Sequence, residues 1–510
     1  MEDSLTKRYL FKLSTNFVAA CASLIIQAII PRGLGPKAYG DFNFLTNFFS
    51  QVAAFLDMGT SIGFYTKLAQ RPQEKALVTF YGYFSVSVFV VMVLFVTGAV
   101  GTSWYPIIWP GQSRLLIYAA ALWGVFTWLI QIFQKMADAY GLTVHTEIVN
   151  IFQRVLGVLL IVLLYLLSQL SLTSLFLYHY LLMGVVFIGF LLIMKRREVF
   201  LNAGRILKNK QIIAYIKEFY DYSHPLFIYA LLCLICGIFD RWLLQKYGGS
   251  IEQGFYGLSY QIGAGCFICT SAMTPLLTRE FAIAYGKKDL PHMAYLFRRY
   301  IPLLYCIAAY FSCFIAVQAD NVIHIMGGKN FTGALLAVTI MAFYPLYQTY
   351  GQLSGSVFYA TGQTRLYRNI GTVFLLGGLP VSYLLIAPES RLGLQAGATG
   401  LAVKMVLIQI VGINVQLYFN AKFLGLRFWK YVGHQFVSAG CLLFLALVTR
   451  WAVESLSPIH QGLMVNFLLA GVIYSLLVTI VVYSQPVLFG ITRDDIHRIL
   501  RLLRDQLRRH

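Results

Sequence analysis

Long apolar runs separated by short polar segments are the feature that most constrains how this chain folds. Only 12% of its 510 residues are charged, against about 25% in a typical soluble protein. A larger core cannot explain the deficit, because a soluble surface still needs charge. Runs of roughly 20 apolar residues are long enough to cross a bilayer as helices. The sequence therefore predicts an all-α polytopic membrane protein with about 14 transmembrane helices.

The runs fall into two groups of six and a final pair. The predicted organisation is an N-terminal six-helix bundle (1–194), a basic amphipathic cytoplasmic linker (195–222), a C-terminal six-helix bundle (223–421), two additional transmembrane helices (422–490) and a basic amphipathic cytoplasmic tail (491–510). The predicted runs are 13–31, 42–66, 77–101, 115–133, 148–168, 172–194, 224–245, 254–277, 299–318, 331–359, 368–387, 397–420, 431–451 and 462–484.

The location of the positive charge sets the predicted orientation. The chain has 40 Lys and Arg against 20 Asp and Glu. With the N-terminus inside, 30 of these cations fall in inner segments and seven in outer ones. Cytoplasmic loops carry such an excess, so both termini are predicted to be cytoplasmic. The net charge of +20 is thereby assigned to orientation and to contact with membrane lipids rather than to nucleic acid.

Two short matches predict an internal duplication. The segment from Arg32 to Tyr39-Gly40, after run one, matches the segment from Arg241 to Tyr256-Gly257, after run seven. Residues 139–143, after run four, match 360–364, after run ten. Transporters with parallel repeats of this kind place the substrate between their halves and rock around it. The predicted outer hinge or gate residues are Arg32, Tyr39, Asp240, Arg241 and Tyr256.

Further motifs carry a family resemblance that covers nearly the whole of the first twelve runs. The chain resembles the oligosaccharide-flippase branch (Wzx-type, polysaccharide biosynthesis) of the multidrug/oligosaccharidyl-lipid/polysaccharide exporter superfamily. The matching pieces are Arg32-Gly-Leu-Gly-Pro-x-x-Tyr39-Gly40, Leu56-Asp57-Met-Gly59, Asp240-Arg241 with Tyr256-Gly257, Pro275, 325–331, Ala360-Thr-Gly362-Gln and 397–402.

The resemblance implies two six-helix bundles in a V, alternating access and a lipid-linked saccharide substrate. The expected function is movement of a polyprenyl-diphosphate-linked oligosaccharide from the cytoplasmic to the outer leaflet of a bacterial inner membrane, for cell-surface polysaccharide assembly. Polysaccharide polymerase and glycosyltransferases are further candidate partners. The 14 runs are also similar to the peptidoglycan-precursor (MurJ-like) flippases. Those often carry arginines in span one, whereas run one here offers only Asn16 and Gln27 as clearly polar residues.

Charged residues inside apolar runs are candidates for a substrate cavity, because they are costly in lipid. Asp57 is a candidate for cation coupling, or for a packing role at a helix end. Arg154 and Lys404 are candidates for binding a diphosphate, since Arg pairs with phosphate oxygens and Lys offers a point charge. Arg154 could instead extend to the inner surface. Arg279 is predicted at the inner mouth, where an ordinary loop charge is the alternative.

Other functions remain open from the residues alone. A cation-coupled exporter of drugs or small molecules would use the same fold. A membrane polysaccharide polymerase or acyltransferase would need a large outer loop or a mid-span His with an acidic partner, and the sequence has neither. We therefore expect no enzyme activity and no cofactor. We also expect no metal site, because we assign the four closely spaced cysteines to packing, namely Cys233, Cys236, Cys266 and Cys269. Without a phosphate-binding loop for ATP, the energy comes from an H⁺ or Na⁺ gradient or from downstream consumption.

Overall fold

The described part of the chain is built from helices. The computed structural model describes residues 5–196, 207–224, 227–267, 270, 273–456, 462–490 and 493. Apart from Arg493, the predicted tail lies outside these residues, as do residues 197–206 of the predicted linker. The α-helices are α1 (Leu5–Asp57), α2 (Thr60–Gln70), α3 (Lys75–Gly101), α4 (Tyr105–Ile108), α5 (Arg114–Ala139), α6 (Thr143–Leu166), α7 (Leu172–Arg196), α8 (Asn209–Ser223), α9 (Phe227–Gly265), α10 (Thr274–Gly286), α11 (Leu290–Val317), α12 (Ala319–Met326), α13 (Leu335–Met341), α14 (Tyr344–Ala360), α15 (Thr364–Ile386), α16 (Gly397–Phe423), α17 (Phe428–Leu456) and α18 (Leu463–Ser484).

The helix lengths fit a multi-pass membrane protein. Eleven helical stretches in the described residues are long and apolar enough to cross a membrane. Helix α1 has 53 residues and α9 has 39, or about 80 Å and 58 Å at 1.5 Å per residue. Both exceed the ~30 Å thickness of the hydrocarbon core, so α1 accommodates two passes and α9 nearly two. The predicted all-α fold with about 14 transmembrane helices is confirmed.

Two glycines kink the long helices. Gly35 in α1 has φ 72° and ψ 170°, and Gly249 in α9 has φ 73° and ψ −172°. A side chain disfavours this backbone conformation, which glycine adopts readily. The kinks therefore mark the turns that the sequence placed between runs one and two and between runs seven and eight.

A second pair of glycines lies in the other predicted repeat match and has the same backbone conformation in both copies. Gly141 (φ 73°) ends the turn after α5, and Gly362 (φ 71°) ends the turn after α14. In each turn a backbone N–H reaches back five residues, from Leu142 to Ala137 at 2.8 Å and from Gln363 to Phe358 at 2.9 Å. Left-handed glycine caps of this kind terminate helices.

The chain divides into two compact units, residues 1–254 and 255–510, with the boundary inside α9. In the first unit α1 packs on α5 and α6, around a core that includes Phe49, Trp109 and Tyr81. In the second unit α11 packs on α14 and α17, and α16 on α14 and α15, around a core that includes Tyr305 and Tyr350. The predicted division at the linker stays a prediction.

Besides the run 254–277, which is divided between α9 and α10, two runs expected to be continuous helices are broken. The run 42–66 is interrupted at Met58 (φ 43°) and Gly59 (φ 75°), and the run 331–359 is interrupted between α13 and α14, at Ala342 and Phe343. In a membrane, interrupted backbone is tolerated where it is buried in protein or lines a cavity. The two breaks therefore direct attention to the side chains beside them.

Candidate functional site

The two kinks make a reciprocal backbone contact within the first unit. A Cβ atom on Gly40 would lie 1.7 Å from the carbonyl oxygen of Ser250, and one on Gly254 would lie 2.1 Å from that of Pro36. Each glycine comes five residues after a kink glycine, and each carbonyl comes one residue after it. The structure thus matches Gly40 with Gly254, and the predicted match of Tyr39-Gly40 with Tyr256-Gly257 is wrong by three residues. The repeat is therefore defined by the two glycines at which the backbones meet, and not by the glycine that follows a tyrosine in each segment.

Polar side chains fix this contact, which we call the glycine hinge (residues 35–40 and 249–254). The Asp41 carboxylate accepts hydrogen bonds from Gln112 Nε2, at 2.6 Å, and from the Ser250 hydroxyl. Gln245 Nε2 donates to the Ser250 hydroxyl and to the Pro110 carbonyl, both at 3.1 Å. Asp41, which the sequence reasoning missed, directly follows Gly40 at the tightest point of the hinge.

The predicted outer hinge residues lie at or near the glycine hinge. Arg241 Nη1 donates to Gln253 Oε1 at 3.1 Å, and Gln253 Nε2 donates back to the Arg241 carbonyl, so the pair spans the Gly249 kink. Asp240 is half-buried beside it. Tyr39 is buried within the hinge, Arg32 is exposed before it, and Tyr256 is buried just after it.

The first break holds a polar cluster around Asp57. The Asp57 carboxylate accepts hydrogen bonds from the Ser61 backbone N–H at 3.2 Å, the Ser61 hydroxyl at 2.9 Å and Trp128 Nε1 at 2.9 Å. Acceptance from a backbone N–H in the first turn of α2 is a helix-capping contact. Lys135 Nζ lies 2.6 Å from the same Ser61 hydroxyl. A carboxylate and an ammonium group are thus linked through one hydroxyl.

A buried acidic residue, Glu147, lies in the first turns of α6 and was not singled out from the sequence. Its side chain is 5% exposed and accepts from Asn150 Nδ2 at 3.4 Å. Asn150 also donates to Gln134, which directly precedes Lys135 on α5. The signal in the sequence is a Glu directly ahead of the predicted start of run five at residue 148.

Arg154 lies on α6 and is half-buried. It is close enough to the Tyr178 hydroxyl to interact with it electrostatically, and that hydroxyl donates to the Gly157 carbonyl at 3.2 Å. Within the described residues Arg154 makes no hydrogen bond or ion pair. A guanidinium in this setting keeps its donors available for an anion. Asp57 and Arg154 are not in contact.

Lys404 is buried in the second unit, 8% exposed. It lies on α16 against Gly378 of α15, where a Cβ atom would lie 3.0 Å from Lys404 Cε and 3.3 Å from Nζ. The absence of a side chain at Gly378 thus makes the room that the lysine occupies. Arg279, on α10, is mostly exposed and pairs weakly with the adjacent Glu280 at 3.4 Å. Arg279 lies within α10 and not in a loop, and its place at the inner mouth stays a prediction.

The second break carries a cluster of tyrosine and glutamine side chains that sequence reasoning missed. Tyr344 begins α14 directly after the break, and its hydroxyl donates to Gln348 Oε1 at 3.3 Å. Gln409 Nε2 of α16 donates to the same oxygen. The Tyr260 ring lies 6.0 Å from the Tyr344 ring and is 40% exposed. Half-exposed rings beside amides combine a stacking surface with hydrogen-bonding groups.

Comparison with solved structures identifies the fold. A structure of the lipid II flippase MurJ, in an inward closed conformation, has a TM-score of 0.65 and 12% identity, covering 93% of this chain and 99% of its own. An inward-facing multidrug resistance MATE transporter of the MOP superfamily has a TM-score of 0.60 and 13% identity, covering 80% and 95%. The chain has the MurJ and MATE fold. No family model and no curated protein matches the sequence.

At this level of identity the similarity concerns the fold, and the function has to be argued from the residues. One of the two structures is described as a lipid II flippase and the other as a multidrug resistance transporter. The glycine hinge, the Asp57 cluster, the two cations and the Tyr–Gln cluster are the features that this chain places on that fold. Within the described residues, no group of three or more His, Cys, Asp and Glu side chains could hold a metal ion.

Proposed function

We propose that this protein is a flippase that moves a polyprenyl-diphosphate-linked oligosaccharide from the cytoplasmic to the outer leaflet by alternating access. The observation that supports it most is the similarity to a lipid II flippase over 93% of the chain, against 80% for a MATE transporter. A flippase for a lipid-linked saccharide has to carry a charged, hydroxyl-rich head group past ~30 Å of hydrocarbon. The protein must therefore offer polar contacts within its membrane-spanning helices.

The chain carries the chemistry that such a head group needs. Arg154 and Lys404 are cations inside apolar helices, and a diphosphate is the anion that a guanidinium or an ammonium group binds well. The Tyr–Gln cluster at the α13–α14 break provides ring faces and amides, which suit sugar hydroxyls and their carbon skeleton. Broken helices are where transporters place their substrate sites. We assign diphosphate binding to the cations and sugar binding to Tyr260, Tyr344, Gln348 and Gln409.

Coupling to a cation gradient is assigned to the Asp57 cluster. Asp57 and Lys135 share the Ser61 hydroxyl, so a change in the charge of one alters the field at the other. The cluster lies where α1 gives way to α2 through Met58 and Gly59, a place where backbone can rearrange. We propose H⁺ or Na⁺ as the coupling ion, acting on the position of α2.

A peptidoglycan-precursor flippase is the second candidate, favoured by the similarity to MurJ. A first predicted span (13–31) with Asn16 and Gln27 as its clearly polar residues favours the oligosaccharide. A cation-coupled exporter of small molecules is the third, favoured by the MATE similarity. The three functions differ in whether the transported molecule carries a lipid and in how large its sugar is.

Transport by the purified protein in liposomes tests these alternatives directly. Vesicles containing the protein receive a fluorescent polyprenyl-diphosphate oligosaccharide, lipid II or an exporter dye in separate experiments, and a membrane-impermeant quencher reports the leaflet. We expect rapid redistribution of the lipid-linked oligosaccharide alone. Redistribution of lipid II alone would identify the peptidoglycan precursor as the substrate in place of the oligosaccharide. Transport of the free dye alone would overturn the flippase proposal.

Substitution of the Tyr–Gln cluster tests the assignment within that assay. Tyr260→Ala and Gln348→Ala should slow oligosaccharide transport, with the shorter saccharides affected least because they make fewer contacts. Tyr359→Ala is the matched control, since Tyr359 is a similarly exposed tyrosine at the far end of α14. Equal rates in Tyr260→Ala, Gln348→Ala and the wild type would remove the cluster from the saccharide site.

A further inference from the structure

An apolar cavity of about 560 Å³ lies in the first unit between α2, α3, α8 and the start of α9. Its wall is mainly aromatic, with Phe80, Phe84, Phe219 and Phe227 among its lining residues. Two of its polar groups, the hydroxyls of Thr60 and Tyr81, bond to each other at 3.0 Å. With those hydroxyls occupied, the wall suits a hydrocarbon chain rather than a sugar or a free ion.

Helix α8 presents three sectors that match the depth profile of a membrane surface. One sector is buried against the rest of the unit through Tyr215 and Phe219. The next is apolar and exposed, formed by Ile213 (65%), Ile216 (55%) and Tyr220 (63%). The third carries Lys210 and Lys217, two turns apart, with Asp221 beside them. An interfacial helix places an exposed apolar sector in hydrocarbon and its cations among lipid head groups.

The mouth of the cavity opens on the exposed apolar sector. Ile216 and Tyr220 of α8 and Ile228 of α9 line the cavity and are all strongly exposed. A hydrocarbon chain could thus enter from the membrane without crossing a polar surface. The cavity and the membrane surface of α8 form one continuous apolar path.

Ser223 supplies a polar contact point at the same place. It lines the cavity, is 6% exposed, and its hydroxyl has no hydrogen-bond partner within the described residues. A buried hydroxyl without a partner carries a free-energy cost that a ligand oxygen would remove. A phospholipid carries such acceptors, the ester carbonyls, at the top of its acyl chains.

An exposed lysine and an exposed histidine flank the cavity on the head-group side. Lys217 and His224 lie seven residues apart on one side of α8, and both are exposed. Within the described residues, Lys217 makes no ion pair, while Lys67 and Arg71 are both occupied by Glu218. Lys217 is therefore available to an anionic phosphate, and a lysine near an anionic leaflet is attracted to its lipid head groups.

We propose that this cavity binds an anionic phospholipid from the membrane leaflet that α8 faces. One acyl chain fills the cavity, an ester carbonyl accepts the hydrogen bond of the Ser223 hydroxyl, and the phosphate lies beside Lys217. The lipid fastens α8 to α2 and α3, directly beside the Asp57 cluster that shares Thr60 with the cavity wall. The site is independent of which substrate the protein transports.

Photochemical cross-linking to a defined lipid tests the proposal. The full-length protein in liposomes receives phosphatidylglycerol or phosphatidylcholine with a photoactivatable acyl chain, and mass spectrometry locates the attachment. We expect phosphatidylglycerol to attach to peptides containing Phe80–Phe84 or Ile216–His224. Ile216→Trp, which fills the mouth, should lose this attachment, whereas Ile213→Trp on the same exposed sector should keep it. Ser223→Ala should weaken it, and Lys217→Glu should remove the preference for phosphatidylglycerol.

Three results would overturn the site. Equal attachment in Ile216→Trp and Ile213→Trp would place the lipid on the surface of α8 and outside the cavity. Equal attachment of the two phospholipids would exclude an anionic head group as the recognised feature. Displacement of the phosphatidylglycerol by equimolar polyprenyl phosphate would assign the cavity to an isoprenoid chain instead. Matching melting temperatures of the two tryptophan variants would show that folding does not cause the difference.

Discussion

At the scale of single residues, the charged side chains in the apolar helices are of two kinds. Asp57 is surrounded by donors and caps a helix, whereas Arg154 makes no hydrogen bond or ion pair within the described residues. Lys404 is buried beside a glycine that makes room for it. Retaining a cation among apolar helices is costly. We attribute that cost at Arg154 to the binding of the substrate's diphosphate, and we propose the same ligand for Lys404 on the grounds of its charge and burial.

Removing either cation should stop transport without preventing membrane insertion. Lys404→Ala and Arg154→Ala each lose a charged contact to phosphate, while Lys404→Arg and Arg154→Lys keep the charge and should retain part of the activity. Lys422→Ala, an exposed lysine on the same helix as Lys404, is the control. The liposome assay with the lipid-linked oligosaccharide measures all five. Normal transport in both alanine variants would exclude these cations from the mechanism.

Two substitutions of Asp57 should separate its effect on stability from its proposed role in ion coupling. Asp57→Ala removes the cap of α2 and should destabilise the protein by about 0.5–2 kcal/mol, the usual cost of losing a capping side chain. Asp57→Asn keeps an oxygen for the Ser61 N–H and should melt close to the wild type, yet lose its response to an imposed ion gradient. Melting temperature and gradient-dependent transport separate the two effects. A wild-type gradient response in Asp57→Asn would contradict the coupling role.

At the scale of helices, the glycine hinge depends on backbone contact that a single methyl group would disturb. Gly254→Ala would place a Cβ atom 2.1 Å from the Pro36 carbonyl oxygen, so the two segments must separate. We expect a loss of about 1–3 kcal/mol, as for other overpacked sites, seen as a lower melting temperature. Gly98→Ala, with open space around the added atom, should melt like the wild type. Equal melting of the two variants would show that the hinge tolerates separation.

The attachment of α8 should depend on pH through Glu218. Burial raises the pKa of this carboxyl, but hydrogen bonds from Lys67 and Arg71 outweigh that effect and lower it overall. The ion pairs therefore stabilise the fold above the unfolded pKa of about 4.3 and are lost as the pH falls through the lower folded value. Because the groups are partly exposed, the effect is about 0–1 kcal/mol.

A Glu218→Gln variant should reveal that dependence. Its melting temperature should lie below that of the wild type at pH 7, and the difference should close as the pH falls below about 4. Glu280→Gln, which removes a weaker and more exposed pair, should differ little from the wild type at either pH. If the melting temperature of Glu218→Gln stays below that of the wild type at low pH, side-chain packing and not charge holds α8 in place.

The helices also show what a sequence can predict about such a fold. Apolar length and the turns at Gly141 and Gly362 were predictable, because both follow from local chemistry. The break at Ala342 and Phe343 was only partly predictable, because both residues are apolar and fit a continuous span, and the local signal is Pro345 in the first turn of α14. The hinge register was missed because it is defined by carbonyls of Pro36 and Ser250 that are remote in sequence. The Tyr–Gln cluster was missed for the same reason, since Tyr260, Gln348 and Gln409 meet only after folding.

At the scale of the whole molecule, the proposed transport direction depends on the orientation of the chain in the membrane. Orientation follows the Lys and Arg bias of short loops, which here is 30 inner against seven outer cations. The exposed Lys288 lies in a predicted inner loop and the exposed Lys329 in a predicted outer one. The proposed lipid site on α8 and the Asp57 cluster would then both lie toward the cytoplasmic side.

Reporter insertions at these two loops test the orientation. Alkaline phosphatase, active only outside the cytoplasm, should be active when inserted after Lys329 and inactive after Lys288, while a fluorescent protein should fluoresce at either terminus. The reason is that a loop rich in Lys and Arg is retained on the cytoplasmic side. Expression measured by immunoblot controls for unstable insertions. Reversed activities would show that the chain has the opposite orientation in the membrane. The proposed direction of transport would then be reversed, because the Asp57 cluster would face the outer leaflet.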